Sequence, residues 1–407
     1  MALSKDAQHP LGSTQWLVVA AIVAAAVVAA MQLGKSAPAL PAIADDLGID
    51  MLAAGWVASI ANLIGAIAGG IAGFMADRIG NRRTIVLGLL FLAGGALLAV
   101  ATESIWLLLL ARALEGAGLL AMFVAGTPFV VAASAARDRG LVLGIWSAFF
   151  PLGFTLIVAA SAGLLGPLGW RGFFSVNAVL CVLTLIAFIL VVSRGRVVEA
   201  RPPSLGGTGR VMATPGPWLL SAMFLVMGIA SFAVQTWLPS FLFEELNLSI
   251  EVAALASAAF IFLFVPANII GSHLSDWRRI QRWHIMAFGS LGIVVLPFGI
   301  FADGLGDTAR AIFACLYPLT AGLIPGAVFG AIPRHAGSVD QIGLVSGIVI
   351  QGSFIGQLVG PPLLAFLVLK FSGWSGAVWM FPVLGGGCLL IAIAIGRLEA
   401  RNSTMDR

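Results

Sequence analysis

Arg112 and Glu115 form the first pair of side chains in this sequence whose types and spacing could do chemistry. They are three residues apart in an apolar stretch that begins at Ile105, and this spacing places both on one face of a helix. At about 1.5 Å per residue, Arg112 lies roughly 10 Å from the start of that helix. Charges in hydrocarbon are costly and are functional candidates by default. The pair is therefore either a self-neutralising structural ion pair or a centre in which Arg112 binds substrate and Glu115 carries a proton.

Lys35 is the third ionisable residue that the pattern places inside an apolar helix. It follows Gln32 and precedes Pro38. Its ammonium could face a central cavity or extend along the helix to the water interface, and the polar company of Gln32 favours the cavity. Two cations and one carboxylate leave a surplus of one positive charge, so we expect an anionic or carboxylate-bearing substrate. An anion that competed with Glu115 for Arg112 would free Glu115 to take up a proton, which describes a symport mechanism.

The second half of the chain offers neutral polar side chains instead of charges. Tyr317 is the only tyrosine in the sequence, and a buried tyrosine hydroxyl needs a hydrogen-bond partner. It either lines the cavity or bonds to a neighbouring helix. The residues that we predict to bind substrate are Gln32, Lys35, Arg112, Gln235, Trp237, Tyr317, Gln351 and Gln357.

A charged turn rich in glycine, from Gly73 to Arg83, separates two long apolar stretches. A carboxylate at Asp77 could pair with a basic side chain or a helix N-terminus in one conformational state only. Such an ion pair would shift the balance of states by about 1–3 kcal/mol. The alternative is that the basic residues merely anchor the loop on one side of a membrane. The predicted latch comprises Gly73, Asp77, Arg78, Gly80, Arg82 and Arg83, with Asp276 and Arg279 as a weaker repeat in the second half.

Other kinds of site receive little support. The four histidines and three cysteines show no metal-ligand spacing, and no phosphate-cradling loop with Lys-Ser/Thr is present. No catalytic set of Ser, His and Asp is evident either. We therefore expect no enzyme activity, no metal and no cofactor, with a proton gradient rather than ATP as the source of energy.

The elements that position these residues are long apolar helices. The chain has 407 residues, 60% hydrophobic and 10% charged, whereas a soluble domain has about 25% charged residues. Stretches of about 20 apolar residues span a bilayer as helices. Twelve runs of at least 19 residues lack Asp, Glu, Lys and Arg: 7–34, 51–76, 84–102, 116–136, 140–170, 172–193, 211–243, 252–275, 283–302, 311–333, 341–369 and 371–396. The sequence predicts an all-α polytopic membrane protein with twelve transmembrane helices.

The distribution of basic residues predicts the orientation. With the N-terminus inside, the inner loops and tails hold seventeen Lys and Arg residues and the outer loops hold only Arg171, Arg310 and Lys370. The positive-inside rule then places both termini in the cytoplasm. A segment rich in Pro, Gly and charge divides the chain, which predicts a six-helix bundle at 1–192, a cytoplasmic linker at 193–217 and a second six-helix bundle at 218–407.

Glycines recur at four-residue spacing on two predicted helices, at Gly65, Gly69 and Gly73 on helix 2 and at Gly352, Gly356 and Gly360 on helix 11. Small residues at this spacing let helix backbones approach closely. They indicate either static packing or smooth faces that slide during a conformational change.

These features together resemble the major facilitator superfamily. The string Gly73-x-x-x-Asp77-Arg78-x-Gly80-x-Arg82-Arg83 between predicted helices 2 and 3 is similar to that family's loop motif, with Asn81 in place of a common basic residue. Arg112-Ala-Leu-Glu115-Gly116 on helix 4 and Trp170-Arg171-x-Phe173-Phe174 before helix 6 also resemble family elements. The resemblance implies two six-helix bundles related by a pseudo-twofold axis, which transport a small molecule by alternating access.

Two details bear on the branch of the family. Helix 5 reads Pro151-Leu-Gly153-Phe-Thr155 and lacks the Gly-Pro-x-x-Gly-Gly pattern of drug/proton antiporters. Gly144-Ile-Trp146-Ser147-Ala148 and Trp237-Leu-Pro239-Ser240-Phe241 are similar to the cyanate-transporter-type branch, which takes up small anions.

We therefore expect a monomeric transporter in a bacterial inner membrane that takes up a small organic anion together with protons. It would interact with lipid and a small-molecule substrate and not with nucleic acid. The alternatives are proton-driven efflux of drugs or metabolites and, more remotely, a membrane receptor that does not transport.

Overall fold

The computed structural model describes residues 13–138, 141–142, 145–146, 148–194, 208–276, 280–302, 304–336 and 342–405. These residues form helices and contain no strand. The helices are α1 (Trp16–Gly34), α2 (Ser36–Leu47), α3 (Met51–Ser59), α4 (Leu63–Ile79), α5 (Asn81–Ala101), α6 (Ile105–Ala132), α7 (Phe149–Arg194), α8 (Thr208–Ala213), α9 (Pro215–Glu244), α10 (Ile250–Asp276), α11 (Arg282–Phe301), α12 (Asp307–Ala321), α13 (Leu323–His335), α14 (Ile342–Lys370), α15 (Trp374–Ala377) and α16 (Met380–Met405).

Within this described part, eleven helical segments are long and apolar enough to cross a membrane. The longest, α7, contains a non-helical residue, Gly169, with φ of 63° and ψ of 176°. A positive φ is easy only for glycine, so α7 is two spanning helices that meet in a sharp turn at Gly169. Counted this way, the described segments make twelve spans, as the sequence predicted for a multi-pass, all-α membrane protein.

The charge-free run 116–136 covers only the later part of the fourth spanning helix. Helix α6 begins at Ile105 and carries Arg112 and Glu115 in its interior, as the apolar stretch before Arg112 predicted. Both side chains are buried against other helices, so the charges interrupt the apolar run without interrupting the helix.

The predicted linker at 193–217 falls largely on residues 195–207, outside the described part. The residues described next to it are helical, since α8 occupies Thr208–Ala213 and α9 begins at Pro215. The division into bundles at 1–192 and 218–407 remains a prediction.

Two spanning helices are broken at the depth where charges are buried. The first is interrupted at Lys35, between α1 and α2, and Pro38 follows three residues later. Proline has no N–H for the helix ladder and its ring disfavours the preceding turn. The second is interrupted by a 3₁₀ turn at Ile60–Asn62, between α3 and α4. These breaks leave backbone carbonyls near the interior of the first half.

The first half meets the second half along α3 and α4, which pack against α14, and along α7, which packs against α10. A Cβ added at Gly55 would lie 3.0 Å from the backbone of Pro362, and one at Gly69 would lie 3.2 Å from the Gln351 side chain. The Gln351 amide donates to the Ala66 carbonyl over 2.9 Å. These contacts place α14 against the second spanning helix over most of its length.

Candidate functional site

Lys35, Arg112 and Glu115 form one buried cluster, which we call the ion-pair triad. The Lys35 Nζ lies 2.5 Å from a Glu115 carboxylate oxygen, and Arg112 donates to the other oxygen. Lys35 and Arg112 have side chains that are 0% exposed, and Glu115 is 1% exposed. The structure thus brings together the three intramembrane charges that the sequence singled out, and the Arg112–Glu115 pair acquires Lys35 as a third member.

Each N–H group of the Arg112 guanidinium has an acceptor. Nε donates to the Val57 carbonyl over 3.2 Å, and one terminal nitrogen donates to the Gln32 carbonyl over 2.5 Å as well as to Glu115. The other terminal nitrogen donates to the Leu33 carbonyl and the Ser36 hydroxyl over 3.4 and 3.2 Å. Since a guanidinium has five N–H donors, Arg112 is fully satisfied.

The acceptors of Arg112 come from the two broken helices. The Gln32 and Leu33 carbonyls precede the break at Lys35, and the Val57 carbonyl precedes the 3₁₀ turn at Ile60–Asn62. Buried carbonyls without partners are costly, so Arg112 stabilises both breaks. Helix α6 comes this close because residue 116 is glycine, where any Cβ would overlap the Ala61 carbonyl. The sequence shows Pro38 and Gly116, but it does not predict how α6 aligns with the two broken helices.

The Lys35 ammonium is equally enclosed. It donates to the Gln32 side-chain oxygen over 2.8 Å and lies 4.5 Å from the centroid of the Phe174 ring. The sequence left open whether Lys35 faces a cavity or extends to the interface. In this conformation it does neither, because α1, α6 and the second part of α7 surround it.

The predicted substrate residues of the second half occupy different environments. Tyr317 is completely buried, and its hydroxyl lies 3.3 Å from the Ser231 hydroxyl on α9. This contact is a hydrogen bond to a neighbouring helix, one of the two alternatives that the sequence left open. Trp237 is also buried and donates to the Pro361 carbonyl. Gln235, Gln351 and Gln357 are partly buried. The Gln357 amide bonds to Ser353 and its side-chain oxygen has no partner among the described residues.

The predicted latch lies at a turn of a single residue. Helix α4 ends at Ile79, α5 begins at Asn81, and Gly80 between them has φ of 94°, which a glycine adopts without strain. Arg78, Arg82 and Arg83 are exposed on the two helix ends. The side chains at 73, 77 and 276, and the whole of Arg279, lie outside the described residues, so the ion pair of the latch stays a prediction.

An aromatic band lies between the halves, and the sequence analysis missed it. Its members are Phe354, Phe123, Phe150, Phe154 and Phe232, and consecutive ring centroids are 5.7, 5.8, 6.3 and 6.0 Å apart. Phe123, Phe150 and Phe154 belong to the first half, whereas Phe354 and Phe232 belong to α14 and α9. With 26 phenylalanines in the chain, no local spacing distinguishes these five.

The aromatic band adjoins the ion-pair triad. A Cβ added at Gly34 would lie 3.1 Å from the Phe154 ring, and Gly34 precedes Lys35. A cluster of tilted and edge-to-face rings that crosses between the halves is therefore next to a buried charge cluster. Small-molecule sites combine these two features, apolar walls and a few fixed polar groups.

A second ion pair ties loops at the opposite end of the first half from the charged turn at Gly80. Asp46 accepts from Arg171 and from the Trp170 indole, and Arg171 also donates to the Thr102 carbonyl. The hydrogen bond from Arg171 holds the pKa of Asp46 below its ordinary value of 3.8.

Comparisons with known proteins agree on one family. A family model described as the Major Facilitator Superfamily matches residues 22–349. The chain is 28% identical to a probable nitrate/nitrite antiporter of Thermus thermophilus, over 82% of this chain and 80% of that one. It is 26% identical to a probable 4-methylmuconolactone transporter of Cupriavidus pinatubonensis, over 78% and 79% of the two chains. It is 25% identical to a 4-hydroxybenzoate transporter of Pseudomonas putida, over 90% and 89%.

The fold also matches a solved structure. A bacterial homolog of the human lysosomal transporter Spinster, in an inward-facing and unoccupied conformation, superimposes with a TM-score of 0.75 over 97% of this chain and 99% of that one. The identity is 16%, so this likeness concerns the fold alone.

Proposed function

The chain belongs to the Major Facilitator Superfamily and is a multi-pass membrane transporter rather than an enzyme, and we propose that it takes up a small organic anion together with protons. Two bundles that rock about a site near the midplane would expose the substrate to each side in turn. In this proposal the membrane is a bacterial inner membrane, both termini are cytoplasmic, the protein works as a monomer without a cofactor, and the proton gradient supplies the energy.

The observation that carries the proposal is the charge of the ion-pair triad. Two cations and one carboxylate share a site without solvent contact, so the site holds one positive charge more than it neutralises. An uncompensated buried charge is unfavourable, and an anion nearby removes that cost. In this proposal Arg112 and Glu115 belong to the centre that couples protons to the anion, and Lys35 supplies the charge surplus.

The aromatic band favours an organic anion with a flat or apolar body. Rings from both halves meet between the bundles next to Gly34, so a ligand there would contact both. The substrates named for two relatives, 4-hydroxybenzoate and 4-methylmuconolactone, are small organic molecules of this kind. We include Gln32, Gln235, Trp237, Tyr317, Gln351 and Gln357 among the groups that shape the site in its open states, and we assign the sequence from Gly73 to Arg83 the role of a latch between states.

The test is uptake by purified protein in proteoliposomes. We expect radiolabelled 4-hydroxybenzoate to accumulate when the outside is more acidic, and a protonophore to abolish the accumulation. Glu115→Gln removes the carboxylate that both cations share and is expected to lose pH-driven accumulation. Glu103→Gln changes an exposed carboxylate and is the matched control.

Other outcomes would identify the alternative functions. Nitrate and tetracycline serve as competing probes in the same vesicles. Proton-driven export of tetracycline without uptake of either anion would replace the proposal with efflux. No transport of any probe, in vesicles where the protein is folded, would reject anion uptake.

A further inference from the structure

The structure points to a particular proton carrier. One proton changes the net charge of the ion-pair triad by one unit, and the direction of that change depends on which group gains or loses the proton. We propose that the proton that moves with the substrate is carried by the Lys35 ammonium and not by Glu115. This inference rests on the proposed function, since it names the group that couples protons to the anion. It replaces the expectation from the sequence, in which Glu115 was the carrier.

The surroundings of Lys35 define the charges that act on it. From α6 it faces Glu115 at 2.5 Å and, beyond that carboxylate, the Arg112 guanidinium. From its own helix it faces the neutral Gln32 oxygen. The second part of α7 contributes the Phe174 ring and the thiol of Cys181, which is within range of electrostatic interaction with both Lys35 and Glu115. Glu115 is therefore the only carboxylate in the described surroundings of Lys35.

Counting charge separates the two candidate carriers. With all three groups ionised the triad carries +1. A proton added to Glu115 would raise this to +2, whereas a proton lost from Lys35 lowers it to zero. The energy of a charge in a low-dielectric site grows with the square of that charge, and it is large even for one unit. In a site with 0–1% exposure, loss of the Lys35 proton is the change that the surroundings tolerate.

Arg112 cannot take this role. A guanidinium stays protonated in proteins, and its five donors are committed to backbone carbonyls, Ser36 and Glu115. Lysine, by contrast, readily loses its proton when buried. Glu115 accepts from both cations and holds them in place.

In the resulting cycle the site is neutral in both forms of the carrier that change from facing one side of the membrane to facing the other. These forms are the carrier loaded with proton and anion and the empty carrier. Outside, Lys35 takes up a proton and a monoanion binds, so +1 and −1 cancel. Inside, the anion leaves and the Lys35 ammonium releases its proton, so the neutral amine leaves the empty triad at zero. One proton and one anion enter per turn, and the empty carrier with a protonated Lys35 returns poorly because it carries +1.

Substitutions at Lys35 test this cycle in the vesicles used above, with 4-hydroxybenzoate as the probe. Lys35→Arg keeps a permanent positive charge, so we expect exchange of 4-hydroxybenzoate across the membrane to persist while pH-driven accumulation falls at least tenfold. Lys35→Met leaves the neutral Arg112–Glu115 pair, and we expect it to lose accumulation and to bind the anion more weakly. Lys370→Arg makes the same change at an exposed position and should behave as the wild type.

Accumulation by Lys35→Arg or Lys35→Met at the wild-type level would overturn the assignment, and proton-coupled uptake would then belong to another group. This result would leave the proposed function standing.

Infrared spectroscopy tests the carrier without any substrate. Wild type and Glu115→Gln in lipid are compared between about pH 6 and about pH 9, a range that extends roughly one unit below and two units above neutrality. We expect the carboxylate band of Glu115 at both limits. A protonated carboxyl band that is absent from Glu115→Gln would overturn the inference. If the wild type transported no anion, the proposed function would fail while this measurement still decided the protonation of Glu115.

Discussion

The fully buried arginine of the triad has two physical roles at once. Arg112 neutralises Glu115, and it also satisfies carbonyls that the broken helices leave without partners. Removing one partner of a buried ion pair costs about 3–5 kcal/mol because the other charge is left uncompensated. The structural role of Arg112 is compatible with its proposed role towards substrate, since a scaffold that holds the helix breaks also fixes the charge next to the aromatic band.

The sequence predicted the members of the triad because charges in apolar runs are conspicuous. It did not predict that Lys35 is enclosed, because enclosure depends on Phe174 and Glu115, which come from helices distant in the chain. It also did not reveal the acceptors of Arg112. Backbone carbonyls are the same at every residue, and only the three-dimensional positions of the helix breaks make the Gln32 and Val57 carbonyls available.

The ion pair of Asp46 makes a prediction about pH. Because Arg171 holds the pKa of Asp46 below 3.8 in the folded protein, the pair stabilises the fold above that ordinary value. The contribution disappears as the pH falls through the lowered pKa, where the folded protein takes up the proton. We expect Asp46→Asn to lower the unfolding temperature of purified protein at pH 7, and the difference from wild type to shrink steadily below pH 4, near the ordinary pKa of Asp.

Glu103→Gln is the control for this measurement, since Glu103 is an exposed acid near Thr102 at the same end of the bundle. A difference between Asp46→Asn and wild type that grew on acidification would contradict the assigned direction.

At the scale of elements, the two glycine faces have different roles. Gly352, Gly356 and Gly360 face α9, where any Cβ would overlap the carbonyls of Ser221, Leu225 and Ile229. This face packs α14 within its own half. Gly65 and Gly69 instead face the side chains of Phe354 and Gln351 from the other half. The spacing predicted close packing at both places, but it could not say which face is fixed and which lies between the moving parts.

This distinction predicts different effects for a glycine-to-alanine substitution on the two faces. Gly356→Ala forces a methyl group against the Leu225 carbonyl, and overpacking of this kind costs about 1–3 kcal/mol. We expect a lower unfolding temperature. Gly69→Ala places its methyl group 3.2 Å from the Cβ of Gln351 and 3.4 Å from its Cα. This approach is much less close than the one at Gly356, so we expect a much smaller loss of stability together with slower turnover in proteoliposomes.

Thermal unfolding and initial uptake rates, measured on both variants, separate the two roles. Gly343→Ala, where the added Cβ meets nothing within 4 Å, serves as the reference. Equal loss of stability in Gly356→Ala and Gly69→Ala would mean that both faces are static.

At the scale of the whole molecule, the Gln351 side chain makes a polar contact between the two halves. Among the described residues, the Gln351 amide donates to carbonyls of the first half, to Ala66 over 2.9 Å and to Ile67 over 3.5 Å. Apolar contacts also join the halves, among them those of the aromatic band. Apolar contacts resist sliding less than hydrogen bonds do, because they have no preferred direction. A molecule whose halves rock would need such an interface.

The number of helices and the family resemblance followed from the sequence because both depend on local composition. The pairing of the halves did not follow from the sequence, which shows Gln351 only as a polar side chain on an apolar helix. Its partner is a carbonyl of α4, 285 positions away in the chain, and no periodicity encodes that contact.

The Gln351 contact predicts how the balance of conformations changes. A hydrogen bond contributes about 0.5–1.5 kcal/mol, so its loss in Gln351→Leu should shift the equilibrium about two- to tenfold towards the state in which α4 and α14 separate at the predicted cytoplasmic end.

Spin labels at Met75 and Gly343 report this separation by electron spin resonance. Cys315 is replaced because it is exposed, whereas Cys181 and Cys388 are buried. Gln357→Leu is the matched control, since Gln357 bonds to Ser353 on its own helix. We expect a longer-distance population in Gln351→Leu alone, and identical distance distributions in the two variants would mean that this contact does not hold the halves together.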